Sequence, residues 1–300
     1  MPLTTYLIVS AVSAAFLLGS GTLLYIFQTE LLYPIRYRKK SRQIPTQEGI
    51  PFREETLITK DNFKIKTYIC KRSTDEEASQ RPTILALPGN RGNIGQRSII
   101  VSKFYYDFKC NIVLLSYRGY GHSEGKPTEK GIRIDVQTCL DYIKRHSVLK
   151  NTKLIIYGRS LGGAVAIDLV SKNEEKIDAM IVENTFLSIP KLLPTFFSPL
   201  RYFTFFCSQI WPSEKSICNI HRIPILFLSS DKDELVPKEH MKELYNLTNT
   251  QRGKIWKNFP NGHHANTINQ PGYFETIEKI LKCVVNNEEI EFIEDQNLSQ

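Results

Sequence analysis

Short apolar runs alternate with longer amphipathic segments along most of this chain. Each run is aliphatic or β-branched and is bounded by Gly, Pro, Asn or Asp. Continuous apolar runs are typical of strands that are covered on both faces, as in a parallel sheet. Two runs, 56–58 and 63–70, flank a polar turn and predict an antiparallel hairpin at a sheet edge. The other predicted strands are 83–87, 111–116, 153–157, 179–182, 225–228 and 254–259.

Helix-length segments lie between these runs. They are 93–108, 129–146, 161–171, 238–247 and 273–285. This alternation predicts a doubly wound α/β domain over residues 53–287, with a mostly parallel sheet of about eight strands and helices on both sides.

One segment, 187–219, interrupts the alternation. It contains four prolines and seven aromatic residues and is too long for a simple connection. We expect a short helical cap over one end of the sheet. Its apolar side chains could pack on the core, line a pocket for an acyl chain, or touch a membrane. The candidate substrate-binding residues in and beside it are Phe186, Phe196, Phe197, Phe203 and Trp211.

The first charged residue of the chain is Glu30, and residues 6–27 form an apolar stretch of 22 residues. This length predicts a single membrane-spanning helix. A cleaved signal peptide would need a basic start and a shorter apolar core, which this chain lacks. The sequence therefore divides into an anchor with a basic flank (1–42), a linker (43–52), the α/β domain, and an acidic tail (288–300).

Charge refines this division. The formal net charge is +8, and half of it falls in residues 1–42, where five Lys/Arg face one Glu. A basic cluster directly after a span favours a cytosolic domain, with the endoplasmic reticulum lumen as the alternative. Because the cluster adjoins the span and no nucleic-acid motif accompanies it, nucleic-acid binding is not predicted. Six scattered cysteines show no metal-ligand spacing, so neither a metal nor a cofactor is expected.

Candidate chemistry appears at residues 158–162, Gly-Arg-Ser-Leu-Gly, which follow a predicted strand and open a predicted helix. This is the context of a nucleophile elbow, in which Ser160 sits on a sharp turn. A serine hydroxyl needs a base, and the base needs an orienting acid. In hydrolases with this elbow the acid and then the histidine follow the serine along the chain.

Acid and base candidates follow two later strands. Asp231 and Asp233 come after strand 225–228, and His263 and His264 come after strand 254–259. Position alone leaves both choices open. An oxyanion hole also needs two backbone N–H groups. One is predicted at Leu161, and the other in the Gly-rich loop after strand 83–87, at Asn90 or its neighbour Arg91.

The sequence resembles the α/β-hydrolase superfamily, and within it the membrane-anchored eukaryotic branch that includes the Bem-forty-six proteins and the vertebrate α/β-hydrolase-domain-containing protein thirteen. The resembling motifs, in order, are 89–97, 116–132, 157–169, 182–190, 232–237 and 259–267. The resemblance implies Ser160 as nucleophile, Asp233 as acid and His264 as base. Two departures are Pro88, where the family usually has His, and the pair Ala265-Asn266 after the histidine.

The resulting expectation is a membrane-anchored serine hydrolase that cleaves an ester or thioester of a lipid or an acylated protein, including palmitoylated protein. The palmitoyl assignment is implied by the resemblance alone. One alternative is a membrane-tethered scaffold in cell polarity that keeps the fold without turnover. Another is a serine peptidase, although no propeller-sized domain precedes the triad. Protein partners are not predicted.

Overall fold

The computed structural model describes residues 3–35, 50–90, 98–288 and 293–294. These residues contain one sheet of nine strands in the order β1-β2-β4-β3-β5-β6-β7-β8-β9. The first two strands pair antiparallel, β2 is also antiparallel to β4, and all later pairs are parallel. The strands are β1 (Arg53–Ile58), β2 (Lys64–Cys70), β3 (Thr83–Leu87), β4 (Asn111–Ser116), β5 (Leu154–Arg159), β6 (Ala179–Glu183), β7 (Ile225–Ser230), β8 (Lys254–Phe259) and β9 (Ile293–Glu294).

Helices cover both faces of the sheet. They are α1 (Leu3–Leu32), α2 (Asp75–Ser79), α3 (Ser98–Ser102), α4 (Glu129–Arg145), α5 (Leu161–Asn173), α6 (Ile189–Phe196), α7 (Ser213–Ser216), α8 (Lys238–Leu247) and α9 (Tyr273–Asn286). A π-helical turn, Lys103–Asp107, continues α3, and a 3₁₀ helix, Ser198–Phe206, follows α6. One apolar core lies between the sheet and α4, α5 and α8, and a second lies under α9 and the π turn. The two cores explain why the central strands read as continuous apolar runs.

The predicted strands are confirmed in position, with ends that differ by a few residues. The edge hairpin and the mostly parallel arrangement are also confirmed. The sequence prediction missed α2, which Thr74 caps by accepting a hydrogen bond from the Glu77 N–H. It also missed β9, two residues of the acidic tail that pair with β8. Of the helix predicted at 93–108, residues 93–97 lie outside the described residues, and the rest forms α3 and the π turn.

The N-terminal helix departs from expectation. The structure places α1 over the stretch 6–27 that the sequence predicts to span a membrane. Within the residues that the structure describes, however, no helix combines the length and the apolar character needed to cross a membrane. The prediction of a membrane-spanning segment is therefore not supported. The last turns of α1 contain polar Gln28, which is 7% exposed and hydrogen-bonded to the cap.

Residues 187–219, which we call the cap, form α6, the 3₁₀ helix and α7, as short helical elements above the sheet edge. The predicted basic flank after residue 35, the predicted linker up to residue 49 and the alternative donor Arg91 lie outside the described residues. The domain boundaries themselves stay a prediction.

Candidate active site

Ser160 occupies a strained turn between β5 and α5. Its φ of 55° and ψ of −125° lie outside the regions that residues with a side chain prefer. The flanking glycines make this turn possible, because a Cβ at Gly158 would overlap the Gly162 carbonyl and a Cβ at Gly162 would overlap the Leu87 carbonyl. Strain of this kind persists only where its surroundings hold it, and it clusters at functional sites. The elbow geometry expected from the sequence is present.

The last residue of β6 and the loop after it hold this turn through two hydrogen bonds. The Ser160 N–H donates to the Glu183 carbonyl at 2.8 Å, and the Thr185 hydroxyl donates to the Ser160 carbonyl at 2.8 Å. Both partners are buried. The backbone of Ser160 is thus fixed from the side opposite to β3.

Asp233 and His264 form a hydrogen-bonded pair beyond the ends of β7 and β8. His264 Nδ1 lies 2.9 Å from Asp233 Oδ1 and 2.7 Å from Oδ2. The Asp233 side chain is 1% exposed, and its Oδ1 also accepts the N–H groups of Leu235 and Val236. A carboxylate held in this way accepts a hydrogen bond from the Nδ1–H group and leaves Nε2 of the ring as a proton acceptor.

The other acid and histidine that the sequence leaves open have different partners. Asp231 accepts hydrogen bonds from Asn258 and pairs with Lys238 on α8. His263 lies 3.6 Å from Glu234, and half of its side chain is exposed. The structure therefore brings together the pair that the resemblance implies.

Two side chains fix the backbone of His264. Arg159 Nη2 donates to the His264 carbonyl at 2.8 Å, and the His264 N–H donates to Glu234 Oε2 at 3.1 Å. The Glu234 carboxylate accepts hydrogen bonds from its own backbone N–H and from that of His264. These bonds hold the pKa of the Glu234 carboxyl below its usual range. Since Arg159 directly precedes Ser160, one side chain connects the elbow to the histidine loop. The sequence analysis predicted neither the Arg159 contact nor the Glu234 contact with the His264 backbone.

The Arg159 side chain lies close to the buried carboxylate of Glu183. Glu183 is almost completely buried, and its Oε2 accepts the hydroxyl groups of Tyr157 and Tyr273, both at 2.6 Å. Burial and the Glu183 charge raise the pKa of Tyr273 well above its usual value, so this hydroxyl remains a donor. Arg159 Nε lies 3.6 Å from Glu183 Oε1. Burial alone would lower the pKa of Arg159, but the Glu183 charge raises it, and the guanidinium stays charged.

The two predicted oxyanion donors flank the elbow. Leu161 is the first residue of α5, where backbone N–H groups have no acceptor within the helix. Asn90 follows β3, and its carbonyl accepts the Tyr120 hydroxyl at 3.0 Å. Ser160, Leu161 and Asn90 all line one cavity. This placement agrees with the predicted role, which stays a prediction.

The cavity has a volume of about 340 Å³ and is mostly apolar. Of the predicted substrate-binding residues, Phe186 and Phe196 line it. The other three lie elsewhere: Trp211 is buried and donates to the Tyr33 hydroxyl, Phe203 is half-buried, and Phe197 is largely exposed.

Three residues of α1 also line this cavity, and the sequence prediction missed them. They are Gln28, Leu31 and Leu32. The one signal in the sequence is Gln28 itself, a polar residue at the end of a long apolar stretch. As for metals, no group of three or more His, Cys, Asp or Glu side chains in the described parts of the chain could hold an ion.

Comparison with known proteins agrees with the fold. A family model for the alpha/beta hydrolase fold matches residues 82–206. Protein bem46 of Schizosaccharomyces pombe is 40% identical over 263 residues, which cover 86% of this chain and 87% of that protein. The chain belongs to the α/β-hydrolase family.

Two further proteins are similar to this chain, one in sequence and one in fold. The uncharacterized membrane protein YNL320W of Saccharomyces cerevisiae is 40% identical over 261 residues, covering 86% of this chain and 90% of that protein. The solved structure of the esterase Pf2001 of Pyrococcus furiosus superposes with a TM-score of 0.61 at 16% identity, over 83% of this chain and 96% of the esterase. The resemblance expected from the motifs is confirmed.

Proposed function

We propose that this α/β-hydrolase is a serine hydrolase that cleaves an ester or thioester of a lipid or of an acylated protein. The observation that carries the proposal is the buried Asp233–His264 hydrogen bond next to the strained Ser160 elbow and its apolar cavity. The esterase among the structural neighbours supports the class of reaction.

In the proposed mechanism, Ser160 Oγ attacks the acyl carbonyl while its proton passes to His264 Nε2. Asp233 keeps the Nδ1 proton of the ring in place and stabilises the imidazolium that forms. The backbone N–H groups of Leu161 and Asn90 stabilise the negative charge on the carbonyl oxygen, helped by the positive end of the α5 dipole. His264 then protonates the leaving alcohol or thiol, which breaks the bond to the acyl group.

Deacylation reverses the roles. His264 takes a proton from water, the resulting hydroxide attacks the acyl-Ser160 ester, and Ser160 recovers its proton as the acid leaves. Each step uses side-chain and backbone groups of this chain together with water. The apolar lining of the cavity supports an acyl group as the bound part of the substrate, since burying methylenes is favourable.

Labelling with a serine-reactive fluorophosphonate tests this proposal. We expect the wild type to be labelled, Ser160→Ala to lose all labelling, and His264→Ala to lose most of it. Hydrolysis of p-nitrophenyl esters should fall by about 10⁴-fold or more in Ser160→Ala, because the nucleophile is absent. Ser171→Ala, on the same helix α5, is the matched control and should behave as the wild type.

Equal labelling of the wild type and Ser160→Ala, with both folded by circular dichroism, would make the hydrolase proposal wrong. That result would favour the alternative of a non-catalytic scaffold.

We also propose that the protein acts at a membrane surface. Large apolar side chains are exposed on the last turns of α1 and on the cap, among them Leu23, Phe27, Tyr202 and Phe205. The name of the yeast relative, which calls it a membrane protein, supports this location. The cytosolic side, favoured by the basic flank, remains part of the proposal.

A further inference from the structure

The last turns of α1 are attached to the cap by a set of hydrogen bonds. Gln28 Oε1 accepts the N–H groups of Ser208 at 2.7 Å and Gln209 at 3.2 Å, and Gln28 Nε2 donates to the Phe206 carbonyl at 3.3 Å. About two helical turns before Gln28, a Cβ at Gly21 would overlap the Phe206 ring, so the ring packs directly on the helix backbone. Gln28 thus forms hydrogen bonds with three backbone groups of the cap.

A second set of contacts fixes the residue after the helix. The Tyr33 hydroxyl accepts the Trp211 indole N–H at 3.0 Å and donates to Gln209 Oε1 at 3.3 Å. Gln209 Oε1 also accepts a hydrogen bond from the Glu129 N–H at 2.6 Å, which connects these contacts to α4. Burial raises the pKa of Tyr33 far above its usual value, so its hydroxyl keeps its proton. The end of α1 is therefore held on two sides, by the cap and by the domain.

The same turns form a wall of the cavity that contains Ser160. Leu31 and Leu32 line this cavity together with Phe186, Leu192 and Phe196. Leu31 is nevertheless 69% exposed, which places it where the cavity opens to the outside. Leu32 is half-buried and packs against the core. Apolar side chains from two distant parts of the chain thus meet beside the candidate nucleophile.

We propose that the end of α1 and the cap together form the binding site for an aliphatic acyl chain, and that Leu31 and Leu32 determine which chain lengths are hydrolysed. This inference rests on the proposed hydrolase function. An acyl chain fits this apolar wall because the chain is itself apolar and is flexible. The polar groups of the cavity lie at Ser160 and Asn90, and where Gln28 and Gln209 are hydrogen-bonded. Each methylene that the wall covers should raise kcat/KM by about fourfold.

The test compares chain-length profiles of the full-length protein. kcat/KM is measured on p-nitrophenyl acetate, butyrate, octanoate and palmitate for the wild type, Leu31→Trp and Leu32→Ala. Leu31→Trp narrows the cavity, and we expect the ratio of kcat/KM on octanoate or palmitate to kcat/KM on acetate to fall at least about tenfold. Leu32→Ala enlarges it and should shift the preference towards palmitate. Leu23→Trp, an exposed position on the same helix outside the cavity, is the matched control and should keep the wild-type profile.

The outcomes separate this inference from the proposed function. If acetate is hydrolysed and the fluorophosphonate labels Ser160, but Leu31→Trp and Leu23→Trp give the wild-type profile, the acyl wall is wrong and the hydrolase stands. If Leu31→Trp lowers kcat/KM on acetate and on octanoate by the same factor while its melting temperature is unchanged, the wall does not discriminate chain length. That result also overturns the inference. If no ester is hydrolysed and no label appears, both proposals are wrong.

Discussion

Arg159 stands out among single residues because it contacts the histidine loop and adjoins the elbow serine. Its guanidinium donates to the His264 carbonyl and lies above the buried Glu183 carboxylate. It touches neither substrate nor the reacting atoms in the proposed mechanism, so we regard it as a positioning residue. Displacing a catalytic group by about 1 Å can cost about 100-fold in rate.

We therefore expect Arg159→Met to lower kcat by about 10- to 100-fold with little change in KM, because substrate contacts in the cavity remain. Steady-state kinetics on p-nitrophenyl butyrate measure both parameters.

Arg145→Met, at the exposed end of α4, serves as the control and should leave both parameters unchanged. A wild-type kcat in Arg159→Met would show that the His264 loop does not depend on this contact.

At this scale the sequence predicts residue types better than pairings. Ser160 is identifiable because its flanking glycines are local requirements of the elbow. The choice of Asp233 over Asp231, and of His264 over His263, depends on how two loops from different strands meet. Only the tertiary structure shows that Asp233 Oδ2 lies 2.7 Å from His264 Nδ1.

At the scale of structural elements, Arg118 connects three elements from separate parts of the sequence. It follows β4, donates through Nη2 at 2.7 Å and through Nε at 3.0 Å to Asp135 on α4, and reaches Asp61 in the β1–β2 turn at 2.8 Å. Arg118 and Asp135 are almost completely buried. Breaking a buried pair leaves an uncompensated charge, which costs about 3–5 kcal/mol, whereas replacing both partners by apolar residues is often neutral.

We expect Arg118→Met to lower the free energy of unfolding by about 3–5 kcal/mol, measured by urea denaturation. The double variant Arg118→Met/Asp135→Leu should recover most of this loss, because no buried charge is left without a partner. Equal destabilisation of the single and double variants would contradict this account of the pair.

Acid provides a second readout of the same cluster. Hydrogen bonding to Arg118 lowers the pKa of Asp61 from 3.8 to about 2. Because the folded-state value is the lower one, this contact stabilises the protein fully above about pH 4, and its contribution is lost as the pH falls towards 2. Asp61→Asn should reduce the loss of stability over that window relative to the wild type.

The element pattern was accessible from the sequence wherever periodicity was strong, as in α4 and the central strands. Weak local signals explain the errors. The helix α2 is only five residues long, and β9 is two residues long and exists through its pairing with β8. Such short elements depend on capping or pairing partners more than on their own composition.

The molecule as a whole carries an apolar face that no single element could form. The cap and the last turns of α1 pack against each other, and both expose large apolar side chains; Phe205 on the 3₁₀ helix is 91% exposed. A large exposed apolar face marks a site of interaction. In our proposal, a membrane covers this face. The cavity opens beside the same elements, at Leu31 and Phe196.

We expect the variant Phe27→Ser/Phe205→Ser to float with phosphatidylcholine vesicles at least about tenfold less than the wild type, since two apolar side chains would no longer be buried in lipid. Ile58→Ser/Ile99→Ser removes two other exposed apolar side chains, from β1 and α3, and should float as the wild type does. Equal flotation of both double variants would remove this face as the membrane-binding surface.

By itself, the sequence determined the parallel sheet and the elbow at Ser160, because these depend on apolar periodicity and on glycines within a few positions of the serine. The resemblance to the family rested on motifs along the chain. The tertiary structure decided which acid pairs with which histidine and that the N-terminal helix lines the cavity. Gln28 illustrates the reason. Its partner Ser208 lies 180 positions away along the chain, and a side-chain contact over that separation exists only once both segments have packed on the same domain.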